Sequence, residues 1–434
     1  MSSRALDVFC DTVRVGSLQE QESVWSFGYD PAWQGFDLSP ALPRAAGRIV
    51  DGGSNRPVQW FFDNLLPEEG QRGLLAREAR IDQEDAFGLL AYFGAESAGA
   101  FVLRQPGTPA PAESGLRPLD ASALQARIEA LPRVSLAQGA PKRMSMAGAQ
   151  HKLIVVLQDD CLYEPLPATP STHLLKPDHP EPDYPGSVAN ETFGMQLAAA
   201  LGLPVPAVQL RYVPSPVYLV QRFDRADCAT GTRRLPVLDA CQLLNKSRTY
   251  KYTQDGVHAL RQAAEACRER AKARLQLFQW LAFNLMLGNS DAHLKNLSFL
   301  IDDDGLRVAP FYDLLCTAVY DMKAFDDAGR WPGVDLALPL PGARQFAGLR
   351  RGHIVQAGEE LGLARDTAQR EFARLHAAFP IAADKVLLQL EAQRDAAVAA
   401  SPHPDEAAQH RGMEDRVLQA IRHGIIAELH SQLA

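Results

Sequence analysis

The sequence predicts an α+β protein with two lobes: a mixed α/β lobe that carries an accessory subdomain, followed by a mainly helical lobe. Three observations support this class. From residue 144 to residue 222, apolar residues alternate or run together in short segments, as they do in strands, with one helix among them. Beyond Asp224, apolar residues recur mostly at helical spacing. A proline-rich run at 105–111 breaks both helix and sheet and reads as a linker.

These changes in pattern predict three segments. Residues 1–104 form the accessory subdomain, in which 58–62 reads as strand-like and 86–90 as helix-like. Residues 105–224 form the rest of the first lobe, and residues 225–434 form the helical lobe. A chain of 434 residues exceeds the usual size of one hydrophobic core, so about two or three domains are expected.

Composition excludes several classes of protein. The hydrophobic fraction of 46% is ordinary for a globular protein, and the net charge of −8 argues against a chain that coats DNA or an anionic membrane by itself. The beginning of the chain has no apolar signal segment and no stretch could span a bilayer, so we expect a cytoplasmic protein without a membrane partner. The six cysteines form no C-x-x-C pair, which predicts neither a disulfide framework nor a zinc site.

The middle segment is punctuated by clear boundaries. Strands are predicted at 152–157, 173–176, 208–213 and 217–223. Between them a helix is predicted to begin with Ser187 as its N-cap and to end at Gly202, before Pro204.

The helical lobe is interrupted once. Residues 274–287 carry apolar residues at i, i+3 and i+4 spacing, and Gly288 follows as the expected C-terminal glycine. After a short loop, 297–301 and 306–311 read as two strands joined by a turn at 302–305.

Three polar side chains flank this hairpin. Asp291 and Asn296 lie in the loop before it, and Asp313 follows it. Phosphoryl-transfer enzymes of the protein-kinase type need one carboxylate to accept the proton of the substrate hydroxyl, and an asparagine and a second aspartate to hold magnesium. An isolated Asp–Asn pair would more often be a turn that closes a helix, but here two regular elements hold the groups together.

A nucleotide-binding pattern precedes this loop in the chain. Residues 145–152 are rich in small side chains, which allow backbone N–H groups to approach phosphate, although most such turns are merely turns. Lys176 ends a predicted strand, where kinases place the lysine that binds the ATP phosphates. Glu191 either pairs with this lysine or only complements the helix dipole. The backbone of Gln221 and Phe223 could hydrogen-bond adenine.

These motifs resemble, in order and over nearly the whole chain, those of the HipA family of bacterial Ser/Thr kinase toxins. The matching segments are 62–67, 145–152 (S-x-A-G-A-Q-x-K), 172–176, 187–191, 222–225, 291–296 and 310–313. The resemblance implies a bilobal, protein-kinase-like fold, with ATP and Mg²⁺ as cofactors.

The resemblance also implies residue roles. Asp291 is expected to be the catalytic base, Asn296 and Asp313 the magnesium ligands, and Ser145 a serine that the enzyme phosphorylates on itself to switch off. The expected ATP-binding residues are Ala147, Gly148, Ala149, Gln150, His151, Lys152, Lys176, Glu191, Gln221, Arg222, Phe223, His293, Lys295, Asn296, Tyr312 and Asp313. His151 and Gln221 stand where we expect an acid in other members. The change at Gln221 should matter little, because the hinge uses backbone atoms, whereas His151 could add positive charge at low pH, so nucleotide affinity is expected to differ.

The family further implies partners. A small helix-turn-helix antitoxin, HipB, is expected to bind the chain, and operator DNA is expected to be bound only through that complex. The expected substrate is a protein, an aminoacyl-tRNA synthetase. Two alternatives remain open from the sequence: a kinase fold that acts only as a scaffold or co-repressor, and a kinase that acts on a small molecule.

Overall fold

The computed structural model describes residues 3–148, 150–229, 231–302 and 304–434. The strands are β1 (Arg4–Cys10), β2 (Val13–Gln21), β3 (Val24–Tyr29), β4 (Arg48–Val50), β5 (Phe101–Arg104), β6 (Leu116–Pro118), β7 (Leu153–Gln158), β8 (Cys161–Pro165), β9 (His173–Pro177), β10 (Val208–Tyr212), β11 (Pro216–Gln221), β12 (Arg225–Cys228), β13 (Gly231–Arg234), β14 (Val237–Asp239), β15 (Ser298–Asp302), β16 (Gly305–Val308), β17 (Asp335–Leu340) and β18 (Ala343–Gln345). The helices are α1 (Pro57–Asp63), α2 (Glu69–Ala79), α3 (Ala86–Phe93), α4 (Ala121–Glu129), α5 (Ser187–Ala200), α6 (Ala240–Leu243), α7 (Gly256–Ala266), α8 (Arg270–Leu287), α9 (Arg351–Glu360), α10 (Arg365–Ala399), α11 (Pro404–Gln419) and α12 (Ala427–Gln432). A π-helical segment, Ala420–Ile426, joins α11 to α12.

The chain separates into two compact units. The first contains residues up to 175 together with 222–251 and 298–307, and the second contains 176–221, 252–297 and 308–434. The three-segment division at 104 and 224 stays a proposal. Within the described residues no helix is both long enough and apolar enough to cross a membrane.

The first unit begins with an antiparallel sheet in the order β4-β3-β2-β1-β5. Its core contains Phe27, Phe62 and Phe87, which are almost completely buried. The prediction of a strand at 58–62 is wrong, because these residues form α1. The carboxylate of Asp51 accepts the N–H groups of Val58 (2.8 Å) and Gln59 (2.9 Å), which satisfies donors that a helix start leaves open.

Further along, the first unit contains the strands on which the predicted phosphate loop depends. Strand β7 pairs antiparallel with β8 and with β9, and β6 pairs with β8. A separate three-stranded sheet has the order β14-β15-β16. The predictions for β7 and β9 are confirmed to within one residue at each end.

The second unit is mainly helical, with the β10–β11 and β17–β18 hairpins. Helix α8 buries Leu277, Phe278 and Trp280. It ends at Leu287 and is followed by Gly288, whose φ of 77° is left-handed. The predicted helix and its glycine terminator are therefore confirmed. The second strand of the following hairpin was predicted to reach residue 311 but ends at Val308. Phe311 instead donates its N–H to the carbonyl of Pro204 (2.7 Å), which draws the chain out of the hairpin.

Candidate active site

The loop after α8 is organised by Asn289. This buried side chain accepts the backbone N–H of Asp291 (3.0 Å) and donates its amide to Asn284 in α8 (2.8 Å). The same amide lies 3.5 Å from the carbonyl oxygen of Asp313. Asn289 therefore fixes the start of the loop and connects it with the segment that carries the second predicted acid.

Asp291 is the acid of this loop, and 47% of its side chain is accessible to solvent, compared with 27% for Asp313. One carboxylate oxygen, Oδ1, accepts a hydrogen bond from the hydroxyl of Tyr252. The Nε2 atom of His293 lies 4.0 Å from the same oxygen. The carboxylate therefore faces solvent on one side and is held on the other, as a proton acceptor for an external hydroxyl requires.

Asn296 closes the loop back on Asp291. Its amide Nδ2 donates to the carbonyl oxygen of Asp291 (2.9 Å), and the side chain is buried. Because the amide nitrogen is used in this way, the orientation of Oδ1 is fixed and that oxygen can serve as a ligand. Tyr312 supports the same turn from the other side, since its hydroxyl donates to the carbonyl of Lys295 (2.9 Å).

Lys176 lies between two acids. Its Nζ atom is 2.8 Å from Oε1 of Glu191 and 2.7 Å from Oδ1 of Asp313. Burial lowers the pKa of Lys176, but the two carboxylates more than offset this effect and raise its pKa above the ordinary value. The lysine is therefore a fixed positive charge. The pair Lys176–Glu191, which the sequence left open beside a helix-dipole role, is formed in the structure.

Glu191 reaches this lysine because α5 is firmly placed. The neighbouring Asn190 donates to the carbonyl of Cys316 (2.8 Å) and accepts the N–H of Cys316 (2.8 Å). One turn further on, a Cβ atom at Gly194 would lie 2.0 Å from the carbonyl oxygen of Leu314. The helix thus packs directly against the backbone that follows Asp313, which only glycine permits.

The beginning of α5 differs from the sequence prediction. Ser187 is the first helical residue, and the N-cap position belongs to Gly186, whose φ is 62°. The capping carboxylate comes from Asp178, which accepts the N–H of Val188 (2.7 Å) and the hydroxyl of Ser187 (3.2 Å). The predicted cap is therefore wrong, because a residue nine positions earlier supplies the acceptor.

The donor set of the loop suits magnesium. Asp313 offers a carboxylate and Asn296 an oriented amide oxygen, and Mg²⁺ takes such oxygen ligands while keeping several from water and phosphate. In the described part of the chain no cluster of three or more His, Cys, Asp or Glu residues could hold a metal alone. Asp313 has a φ of 58°, a left-handed conformation that Asp tolerates better than most residues.

The predicted phosphate loop lies in the first unit. Gly148 has a φ of 106°, and a Cβ atom there would lie 2.6 Å from the Nζ atom of Lys152. Lys152 donates that ammonium to the carbonyl of Ala147 (2.6 Å), which closes the loop on itself. Gln150 and His151 continue it into β7. Ala149, also predicted to bind ATP, lies outside the described residues.

Ser145 lies at the beginning of this loop and is completely buried. Its hydroxyl donates to the carbonyl of Leu65 (2.8 Å), and its N–H donates to the carbonyl of Glu96 (2.6 Å). Both acceptors belong to the first hundred residues. In this conformation the serine hydroxyl is inaccessible to solvent. Modification of Ser145 would require this residue to leave its buried position.

The predicted adenine-binding strand carries one side chain with a different task. Arg222 is buried, and its guanidinium binds Asp224 (2.6 Å) and the hydroxyl of Ser171 (3.0 Å). It also joins a cluster around the fully buried Glu96, with the cations of Lys142, Arg222, Arg225 and Arg234 at 2.6, 3.3, 2.6 and 3.0 Å. Burial alone would raise the pKa of Glu96, but these cations hold it well below its usual range.

The backbone of this strand is partly used within the fold. The N–H of Gln221 donates to the carbonyl of Ala207 (2.9 Å), and the N–H of Arg222 donates to the carbonyl of Thr172 (2.9 Å). The N–H of Gln221 is therefore engaged within the fold, and the predicted adenine contacts of Gln221 and Phe223 stay a prediction.

Sequence reasoning missed two residues of the site. Asn289 stands two positions before Asp291, the spacing at which an asparagine side chain accepts a backbone N–H, so this signal could have been found. Tyr252 lies 39 positions before Asp291 and carries no local pattern that would connect the two.

Comparisons with known proteins show the family of the chain. The HipA N-terminal domain model matches residues 6–104, and the HipA-like C-terminal domain model matches residues 144–383. Y4mE of Sinorhizobium fredii, whose name describes a kinase, is 38% identical over 339 residues, which cover 74% of this chain and 79% of the relative. The Ser/Thr-protein kinase toxin HipA of Shewanella oneidensis is 31% identical over 340 residues, which cover 73% and 76%.

A solved structure is similar over almost the full length. The structure of HipA with HipB and operator DNA from Shewanella oneidensis superimposes with a TM-score of 0.74 at 25% identity, covering 98% of this chain and 99% of that chain.

Proposed function

The chain belongs to the HipA family of Ser/Thr kinase toxins, and we propose that it transfers the γ-phosphoryl group of ATP to a serine or threonine of a protein. The observation that carries this proposal is the position of Lys176 between Glu191 and Asp313, next to a loop that presents Asp291. A lysine paired with a helix glutamate and a metal-binding aspartate is the arrangement by which kinases hold the ATP phosphates.

We assign the chemical roles within the second unit as follows. Asp291 accepts the proton of the attacking substrate hydroxyl. The oxygen of that hydroxyl forms a bond to the γ-phosphorus, and ADP leaves. Asn296 and Asp313 hold Mg²⁺, which neutralises charge on the transferring phosphate. Lys176 contributes a permanent positive charge toward the phosphates, and Glu191 keeps the ammonium aimed. Asn289 holds the loop in the geometry that these roles need.

We propose two further nucleotide-binding segments, each described within its own unit: the loop 147–152 in the first unit and the end of β11 in the second. Backbone N–H groups around Gly148 would bind phosphate, and the carbonyl of Gln221 would bind adenine. Because the guanidinium of Arg222 is held by Asp224 and Ser171, we assign this residue a structural role beside the nucleotide rather than a direct contact. His293, Lys295 and Tyr312 would line the site from the catalytic loop.

We further propose that Ser145 is a site of self-phosphorylation. A dianionic phosphate cannot remain where the buried hydroxyl of Ser145 donates to a backbone carbonyl, since two oxygens of like charge would meet without water. Phosphorylation would therefore keep Ser145 and its loop out of this buried position and would stop nucleotide binding.

The family supports a biological role as the toxin of a type II toxin–antitoxin pair. We propose an aminoacyl-tRNA synthetase as the protein substrate and a HipB-like antitoxin as the partner. A HipA relative has been solved with HipB and operator DNA, and we propose that this chain likewise meets DNA only through its antitoxin. The net charge of −8 supports a DNA contact made by the antitoxin rather than by this chain.

Intact mass after incubation with Mg-ATP tests the enzymatic part of this proposal. Wild type is expected to gain one phosphate, located on Ser145, whereas Asp291→Asn is expected to gain none. The exposed Asp227→Asn is the matched control and should behave as wild type. Phosphate on Asp291→Asn at the wild-type rate would remove Asp291 from the role of base.

A further inference from the structure

The carboxylate of Asp291 already has a hydroxyl bound to it. The phenolic O–H of Tyr252 donates to Oδ1 of Asp291. The ring of Tyr252 also meets the ring of His293 edge-on, with 5.0 Å between centroids and an angle of 77° between planes. All three residues belong to the second unit, so their contacts lie within one compact body.

A general base must lie within hydrogen-bond reach of the hydroxyl whose proton it takes. The hydroxyls of serine, threonine and tyrosine are donors of the same kind. Tyr252 thus makes with Asp291 the contact that an acceptor hydroxyl makes in the reacting complex. We infer that Tyr252 occupies the acceptor position of the resting enzyme and that the protein substrate must displace it. This inference rests on the proposed role of Asp291 as base.

The surroundings of Tyr252 allow such a displacement. The side chain is 46% exposed, and it stands between a short 3-10 turn at Arg248–Tyr250 and the beginning of α7 at Gly256. Its ring can therefore turn toward solvent without opening the apolar core. His293 is itself buried and remains beside Asp291 when the tyrosine leaves.

Two consequences follow for the reaction. The hydroxyl of the protein substrate competes with the hydroxyl of Tyr252 for Asp291, which lowers the apparent affinity for the substrate. Further contacts between the substrate and the surface around Tyr252 would offset this loss. Water must compete as well, so hydrolysis of ATP without an acceptor is suppressed. In the productive step the substrate oxygen bonds to phosphorus, its proton passes to Asp291 and ADP departs; the tyrosine takes no part in that step.

The test uses Tyr252→Phe in the full chain, which removes the hydroxyl and keeps the ring contact with His293. The variant is compared with the chain that keeps Tyr252. Both of these proteins also carry Ser145→Ala, so that self-phosphorylation does not change the enzyme during the assay. ATP hydrolysis is measured without acceptor, and kcat/KM is measured with dephosphorylated casein as the protein probe. Both are expected to rise about tenfold, which is the order of effect of one hydrogen bond to a charged group.

Tyr250→Phe is the matched control. That residue is also exposed, and its ring faces the ammonium of Lys246 at 4.7 Å. Both rates should keep their values in this variant. Tyr252→Ala, which lacks the ring as well, should show at least the increase of Tyr252→Phe, and thermal unfolding checks that all three variants are folded.

The sign of the change decides the question. If Tyr252 instead holds Asp291 in place for catalysis, both rates fall when the hydroxyl is removed, and the inference is overturned. Unchanged hydrolysis in Tyr252→Phe overturns it too, even if casein proves a poor acceptor. If Asp291→Asn still hydrolyses ATP, the proposed base is wrong. If Asp291→Asn is inactive and Tyr252→Phe is slower than the chain that keeps Tyr252, only the displacement of Tyr252 is refuted.

Discussion

The ammonium of Lys176 lies 2.8 Å from a carboxylate oxygen of Glu191, 15 residues further along the chain. A strand end and a helix thus meet through one ion pair within the second unit. Because Lys176 also contacts Asp313, the pair sets the direction of the lysine rather than its charge.

Glu191→Gln should therefore reduce kinase activity with little change in stability. The amide can still accept one hydrogen bond from Lys176, but it no longer competes with Asp313 for the ammonium, which shifts toward the proposed magnesium ligand. A misplacement of this kind costs on the order of 10²-fold in kcat/KM. Steady-state kinetics with Mg-ATP measure the loss, and the exposed Glu181→Gln is the control. Wild-type kinetics in Glu191→Gln would show that the pair is only structural.

Asp313→Asn is expected to separate metal binding from folding. Asparagine tolerates the φ of 58° observed at this position, so the backbone should keep its conformation. The neutral amide binds Mg²⁺ more weakly than a carboxylate does. We expect nucleotide affinity to lose its dependence on Mg²⁺ and phosphoryl transfer to fall by about 10²-fold or more. Calorimetric titration of ATP with and without Mg²⁺ measures the first effect, and an unchanged magnesium dependence would count against Asp313 as a ligand.

Gly194→Ala tests how closely α5 must approach the segment after Asp313. The new methyl group would meet the carbonyl oxygen of Leu314 at 2.0 Å, so the helix or the backbone has to move. We expect a loss of about 1–3 kcal/mol in unfolding free energy, together with lower kinase activity. In Gly352→Ala, also in a helix of the second unit, the Cβ atom meets nothing within 4 Å. That control should be neutral or slightly stabilising. Equal behaviour of the two variants would contradict the close packing.

Ser145→Ala should yield an enzyme whose activity does not decay during incubation with Mg-ATP. Wild type is expected to lose activity as phosphate accumulates, while the variant is expected to continue at its initial rate. Losing the hydrogen bond to Leu65 should cost about 1 kcal/mol in stability. Time courses of product formation and intact mass follow both effects, with the exposed Ser54→Ala as control. Decay at the wild-type rate in Ser145→Ala would refute self-inhibition through this residue.

The sequence predicted those parts of the site whose determinants are local. Helix α8 and its terminating Gly288 follow from periodicity and from the left-handed conformation that glycine adopts freely. Strand β15 was predicted within one residue. The fold class is also confirmed, because short strands and amphipathic helices leave distinct periods in the sequence.

Contacts between distant segments could not be predicted in the same way. The bond from Ser145 to the carbonyl of Leu65 spans 80 positions, and the one from Arg222 to Glu96 spans 126. A buried guanidinium and an arginine that binds phosphate look alike in a sequence, because both are only an arginine after a strand. The partner decides between them, and the fold supplies the partner.

Asp178 provides a test by pH. Burial, with Glu414 nearby as a second contribution, raises the pKa of Asp178 to about 7, although the N–H of Val188 opposes the shift. The folded chain therefore binds this proton more readily than the unfolded chain between the ordinary carboxyl value of 3.8 and about 7. By linkage, this group makes the fold less stable as pH rises through that window, with its full effect above it.

Asp178→Asn cannot ionise and still accepts the N–H of Val188, so it should remove that slope. We expect the variant to melt a few degrees above wild type at pH 8, on the order set by a change of about 1 kcal/mol in a large chain, and the difference should shrink toward pH 5. Thermal unfolding at several pH values measures it, and the exposed Asp183→Asn should follow wild type throughout. The opposite result would be a melting temperature of Asp178→Asn that falls further below that of wild type at pH 8 than at pH 5. It would mean that the carboxylate form of Asp178 stabilises the start of α5.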